Sequence, residues 1–446
     1  MINSPKPLKK LIGITFDEFN EMAKAKDFIQ IQEARLIPTL KTGDEMALTS
    51  IFLSALRLVK EYREQFFKDI KFGKGGKHYF YTEACFPEKD SNSRVDGLII
   101  KVKSGKIDDA IFLEMKNKTN GLDADQIAKY IVLSKDLGIN KLVTVSNEFV
   151  ADPSLSPVEV KVPKNFNLFH FSWTYLATIG QLLIFKNDQN IEDEDQVEIM
   201  SEVLEYIENP LSGVKGYTQM KQGWKTLAES VRTQIPLKTS DEYINEAVLS
   251  WYEEEKDMAL QLSRKLGASV KSTPRTKDSV KNDIKHLVQE NSITGNLSIK
   301  NAVSTIKVTA EFERRSVQMS IKITPPDNKG SIAKVSWIGK QLETCSKKDS
   351  HLFENIHKDL YLEVNIKHAR TNLKKHIFEL DELKEEVKTK DIQNFSIVLD
   401  KPFGSNFAST KKFIELIEQM SEDYYECIVQ HMSSWQKPAP KLDQVK

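Results

Sequence analysis

The sequence predicts an α/β core with a central mixed sheet flanked by helices, then a helical connector and a second, α+β domain. Three observations predict it. Between His78 and Asn147, strand-like runs separated by turn signals give way to a helix-period segment and another apolar run, the order of a hairpin followed by a crossover. Asp188 to about Asp257 is rich in carboxylates and spaced for helices. From Lys271 onward several segments return to a period of two before a final long helical stretch. With 446 residues the chain can build two or three domains with real cores, and the divisions expected are 1–185, 186–270 and 271–446.

Composition narrows the partners. Lysine plus arginine and aspartate plus glutamate are equal at 64 each, so the whole chain offers little long-range attraction to a polyanion. A nucleic-acid partner therefore needs a local basic surface. The three cysteines, Cys85, Cys345 and Cys427, are odd in number and far apart. They read as buried thiols of a reducing compartment, without a disulfide frame or a zinc site. The start, Met1 to Pro7, has no apolar h-region, and no run approaches a membrane span. A cytoplasmic protein with no membrane partner is expected.

Taken in order, residues 1–42 give one helix, near Phe16–Lys26. Asp44 then caps a helix in which Leu48, Ile51, Phe52, Ala55, Leu56, Val59, Tyr62 and Phe66 recur at helical spacing over about 25 residues. Glu45 in its first turn is either a carboxylate favoured by the helix N-terminus or an additional acid facing a metal site. The turn Gly73–Lys77 (GKGGK) lacks the GxxxxGK[ST] pattern of a nucleotide-binding loop; backbone contact to phosphate is the alternative to a plain turn. Tyr79–Phe86 is a strand in which Glu83 shares a face with Tyr81 and Cys85. A lone carboxylate in an apolar row is costly unless it is paired or bound to metal. Glu83 is accordingly either a third acid or a solvent-facing residue.

The densest chemistry follows. Asp96 precedes Gly97 and the apolar run Leu98-Ile99-Ile100, and Ile111-Phe112-Leu113 leads into Glu114-Met115-Lys116. Strand side chains alternate, so Glu114 and Lys116 continue the row of Phe112. A hairpin turning at Lys103–Lys106 would bring Asp96 to them. Two carboxylates and an ammonium at a sheet edge suit Mg²⁺ (or Mn²⁺), which takes oxygen ligands and keeps several waters. Asp123 caps a helix carrying Gln126 and Tyr130 and stopped by Gly138. Lys141–Ser146 is a buried strand placed for a parallel crossover.

This order resembles the PD-(D/E)xK nuclease superfamily, which has the restriction-endonuclease-like fold; the match covers Asp44 to Asn147. Val95-Asp96 stands where the family often has Pro-Asp, Glu114-Met115-Lys116 is the ExK element, and Gln126-x-x-x-Tyr130 is similar to the QxxxY element of the RecB-like branch. The resemblance implies a Mg²⁺-dependent nuclease hydrolysing phosphodiester bonds, with DNA the expected partner and restriction, repair or anti-phage defence the expected setting. Asp96 and Glu114 would ligate the metal, joined by the backbone carbonyl of Met115, with Glu83 as the third acid. Lys116 would position or help deprotonate the attacking water. Gln126 would hold the site or the scissile phosphate, with Tyr130 packing behind it. A homodimer is compatible with this, because double-strand cutting uses two sites. Two other readings stand beside it: a non-catalytic nucleic-acid-binding or scaffold protein that keeps the fold, and an RNase or a nuclease gated by a partner or small ligand bound in the C-terminal domain.

Phe166–Phe171 is a further strand, with His170 read as structural in preference to catalytic, and Trp173 opens a helix through Leu183 as a core residue. Helical spacing in Val197–Ile207 and Tyr243–Leu266 flanks a break at Asn209–Gly213. Strands are then expected at Leu297–Val303, Thr305–Arg314, Ser316–Ile323, Ile332–Ile338, Leu360–Ile366 and Phe395–Leu399, with a helix over Ser409–Gln430. His351, His357, His368 and His376 lack paired metal-ligand spacing, and the tail from Gln436 reads as frayed.

Overall fold

The computed structural model describes residues 8–25, 29–33, 44–118, 120–150, 152–185 and 191–436. They form a mixed α/β protein with two sheets, divided into two compact units: Met1–Tyr217 with Ser263–Ala268, and Thr218–Leu262 with Ser269–Lys446. The expected 186–270 connector is therefore not a domain of its own. Its first helix buries Met200, Val203, Leu204 and Ile207 in the core of the first unit, while Trp224, Leu227 and Trp251 are buried within the second. Each amphipathic face joins a core, and acidic composition alone did not report that. No helix among the described residues is long and apolar enough to cross a membrane.

In the first unit α1 (Phe16–Ala25), β1 (Gln30–Glu33), α2 (Glu45–Leu58) and α3 (Lys60–Asp69) precede β2 (Lys77–Phe86), β3 (Asp90–Lys103) and β4 (Lys106–Met115). There follow α4 (Ala124–Asp136), β5 (Lys141–Ser146), β6 (Asn167–Ser172), α5 (Trp173–Ile184) and α6 (Glu194–Glu208). The strands lie side by side in chain order, antiparallel from β1 to β4 and parallel from β4 to β6. The helix α4 supplies the crossover that a parallel neighbour demands. Alternation along β4 serves two cores: Ile111, Leu113 and Met115 join the apolar cluster of α2, α3, α5 and α6, while Ala110 and Phe112 join that of α1 and α4.

The helix expected to run unbroken from Asp44 is two helices. Val59, extended at φ −103° and ψ 106°, separates α2 from α3. The N–H of Lys60 donates to the side chain of Gln196 at 2.7 Å, and the Arg63 guanidinium donates to the carbonyls of Leu56 and Arg57 at 2.9 and 3.0 Å. These partners satisfy backbone groups that the break leaves open.

The second unit contains α7 (Gln222–Arg232), α8 (Glu242–Leu266) except its last residues from Ser263, β7 (Val270–Lys271), α9 (Lys277–Glu290), β8 (Ser292–Ile299), β9 (Ile306–Glu311) and β10 (Ser316–Ile323). Next come α10 (Ser331–Lys348), α11 (Ser350–Ile356), β11 (Leu360–Ile366), β12 (Leu373–His376), α12 (Leu380–Glu386), β13 (Ile392–Pro402) and α13 (Thr410–Cys427). Its strands are ordered β12-β11-β13-β10-β9-β8-β7. The strand expected at Ile332–Ile338 is the start of α10. Val335, Ile338, Leu342 and Cys345 are buried along it, a helical period that the shorter window hid. The strand expected at Leu297–Val303 starts earlier, at Ser292, and ends at Ile299. The tail from Lys437 lies outside the described residues.

Trp224 anchors the core of this unit. It is fully buried against the rings of Trp251, Phe312, Phe407 and Phe413, and its indole N–H donates to the carbonyl of Phe407 at 2.9 Å. On α8, Glu255 is buried with Arg275 at 2.8 Å and accepts the N–H groups of Thr273 and Asn296, both at 2.8 Å. Its neighbour Glu254 is fully buried, and neither of its oxygens has a hydrogen-bond partner among the described residues. Burial, reinforced by Glu418 and Asp257, pushes its carboxyl well above the usual range.

Candidate active site

Antiparallel pairing sets Gly97 opposite Leu113, which puts Asp96 on β3 next to the Glu114–Lys116 end of β4. Asp96 accepts the backbone N–H of Met115 at 2.6 Å. Glu114 continues the row of Phe112 as alternation requires, is fully buried, and its Oε1 takes a short contact from the Lys116 ammonium. Its Oε2 has no hydrogen-bond partner among the described residues. Glu45, in the first turn of α2, lies 3.5 Å from the same ammonium through Oε1, and its Oε2 accepts the N–H of Asn117 at 3.1 Å. The Trp173 indole donates to the carbonyl of Lys116 at 2.9 Å. Two of the sheet's central strands and two helix starts thus fix the group.

Electrostatics follow from this crowding. Burial, then the charge of Glu114, raises Asp96 well above the usual carboxylate range. Burial also raises Glu114, against the opposing pull of Lys116. Burial works against the Lys116 ammonium, but Glu114, Asp96 and Glu45 together outweigh it and raise its pKa. The lysine is therefore held charged beside two acids that resist ionising together.

Of the residues expected at the site, Asp96, Glu114, Lys116 and Glu45 are brought together, and Met115 enters through its backbone N–H. Gln126 and Tyr130 act as a pair: the Gln126 amide donates to the Tyr130 hydroxyl at 3.0 Å, which donates to the carbonyl of Arg94 at 2.7 Å. They tie α4 to the strand just ahead of Asp96. Glu83 takes a different partner, Arg94, at 3.4 Å. Its backbone is left-handed, with φ 54°. That turn breaks the alternation assumed for the strand, since Tyr81 and then Ala84 and Phe86 face the same core. Among the described residues no three or more His, Cys, Asp or Glu side chains form a metal-binding group; Asp96 and Glu114 are the pair that could hold a cation completed by waters. Three ties went unforeseen: Trp173 on Lys116, and Asn117 and Asn147 on residues 212–215. Their partners are distant in sequence, and no local pattern marks them.

His170 is structural. It is fully buried, with Nδ1 at 2.9 Å from the Thr144 hydroxyl and Nε2 at 2.8 Å from the Glu148 carbonyl, and burial lowers its pKa to about 4. An unfolded histidine titrates near 6.5. Between these values the unfolded chain binds the extra proton, so His170 withdraws stability as pH falls from about 6.5 toward about 4, by roughly 3 kcal/mol in all. The stability difference between wild type and His170→Asn, followed by urea unfolding, should shrink by about that amount across this window. A difference that stays flat would contradict the assignment.

Comparisons with known proteins identify no relative: no family model, no curated protein and no solved structure matches the chain.

Proposed function

We propose that the first unit is a metal-dependent phosphodiesterase of the PD-(D/E)xK, restriction-endonuclease-like kind, acting on DNA. The observation that carries this reading is the meeting of Asp96, Glu114 and Lys116 at adjacent strand ends, with Glu45 completing the group. The donor set fits Mg²⁺ or Mn²⁺. Burial and then the charge of Glu114 hold Asp96 well above the usual carboxylate range, one oxygen of Glu114 has no partner among the described residues, and hard cations take such oxygens while keeping waters. Asp96 and Glu114 would hold the ion, with the Met115 carbonyl as the backbone ligand. When bound, such an ion activates a water and offsets the charge that builds on the phosphoryl oxygens.

The chain's own residues do the rest. The Lys116 ammonium, charged and steered by Glu45, orients the attacking water and faces the negative charge of the transition state from a fixed position. Trp173 and Glu45 restrain the peptide that joins that lysine to Asn117, the first through its carbonyl and the second through its N–H. Gln126 and Tyr130 brace the strand that carries Asp96.

The test is incubation of the full chain with supercoiled plasmid, linear duplex DNA and single-stranded RNA in Mg²⁺ or Mn²⁺, beside Glu114→Ala and an EDTA control. Cleavage of a DNA substrate that needs the ion and vanishes in the variant is the expected result. Cleavage of RNA alone would reassign the substrate. Tight DNA binding with no cleavage would favour a binding protein that keeps the fold.

A further inference from the structure

We infer that Asn117 and Asn147 are positioning residues that hold Lys116 and Glu45 in register through a strap formed by Ser212–Lys215. The inference rests on the proposed cleavage site and adds residues that make none of its chemistry. Asn117 follows Lys116 directly and is 2 % exposed. Its N–H donates to Glu45, and its side-chain amide donates to the carbonyl of Ser212 at 2.6 Å. Asn147 sits just beyond β5, the parallel neighbour of β4. Its amide donates to the carbonyls of Gly213 at 2.8 Å and Lys118 at 3.0 Å, and its oxygen accepts the N–H of Lys215 at 3.1 Å. Two amides from two adjacent strand ends therefore grip one four-residue stretch.

The strap is itself fixed and closely fitted. The Ser212 hydroxyl donates to the carbonyl of Ile207 at 2.7 Å and accepts the N–H of Val214 at 3.1 Å, and the Thr174 hydroxyl donates to the carbonyl of Lys215 at 3.2 Å. Gly213 has φ 81°, and a Cβ there would lie 2.5 Å from Lys118 Cγ and 2.9 Å from Asn117 Oδ1. Only glycine meets both demands. Lys118 turns the chain sharply at φ 57° directly after Asn117. That turn lies beyond the end of β4, and the strap and Asn147 supply bonds to it. Catalytic groups need placement to within about 0.5 Å, so a slack turn one residue beyond the lysine's neighbour would cost rate before it cost fold. The strap ends two residues before Tyr217, where the chain first leaves this unit.

Asn147→Ala and Gly213→Ala test this beside Ile139→Ala, a core variant between α4 and β5 whose loss of stability is measured with theirs. The expected result is a fall of about 10- to 100-fold in kcat for the two strap variants. Their affinity for DNA in the absence of metal should stay within about twofold of wild type, and Ile139→Ala should keep its kcat. Strap variants that lose no more rate than Ile139→Ala, or that lose it through affinity, overturn the inference. If the wild-type chain cuts nothing, the cleavage reading fails on its own and amide exchange decides the strap. Faster exchange at Lys116, Asn117 and Lys118 in Asn147→Ala supports it; unchanged exchange overturns it.

Discussion

Lys116→Met is expected to lower the cleavage rate by about a thousandfold or more and to lower stability by about 3 kcal/mol. The two effects have separate causes. The rate falls because the fixed positive charge that meets the transition state is gone. Stability falls because Glu114, fully buried, loses the ammonium it pairs with, while its second oxygen has no partner among the described residues. Adding Glu114→Gln removes the stranded charge, so the double variant should regain most of the lost stability and remain inactive. Plasmid cleavage time courses and urea melts on the two variants separate the causes. If the double variant is as unstable as the single one, the ion pair is not what the lysine contributes to the fold. If either variant keeps more than about a tenth of the wild-type rate, Lys116 is not the group that faces the phosphate.

Glu254→Gln in the second unit should stabilise the protein, by an amount that grows with pH. The folded carboxyl is raised well above its ordinary value by burial and by Glu418 and Asp257. An unfolded glutamate ionises near 4.3, so above that pH the folded state must keep a proton that the unfolded state releases. Each pH unit then removes up to about 1.4 kcal/mol from wild type and nothing from the amide, until the folded group itself ionises. Urea unfolding of wild type and variant at several pH values between about 5 and about 8 reads the widening gap directly. A constant or negative difference would show that Glu254 has a partner compensating its charge.

What could be read from the sequence was local. The strand–hairpin–strand–helix run from Tyr79 to Leu137 stood out because its period changes from two to helical at Asp123, and Gly105 and Gly138 mark the turns with positive φ. Glu114 and Lys116 were placed by alternation, and Asp96 by the hairpin that turns at Lys103–Lys106. What escaped depends on distant partners or on one residue's backbone. The break at Val59 is supported by Gln196, 136 residues on from Lys60. Asn117 reaches Ser212, 95 residues away, and Asn147 reaches Gly213 across 66. Glu83 left the group because its own left-handed turn shifted the row it was assumed to share. Ile332–Ile338 is a window short enough for either period, and only the later Leu342 and Cys345 decide for a helix.

The order of strands bears on how each unit is assembled. In the first sheet every strand lies beside the one just made, so pairing can proceed from β1 to β6 as the chain emerges. In the second, β13 is inserted between β11 and β10, and the sheet's middle waits for a strand that comes late in the chain. Pairings that span long loops are the slow ones. The first sheet should therefore close early during synthesis, while β10 and β11 stand with unpaired edges until Ile392–Pro402 arrives, the interval in which this chain is most exposed to aggregation.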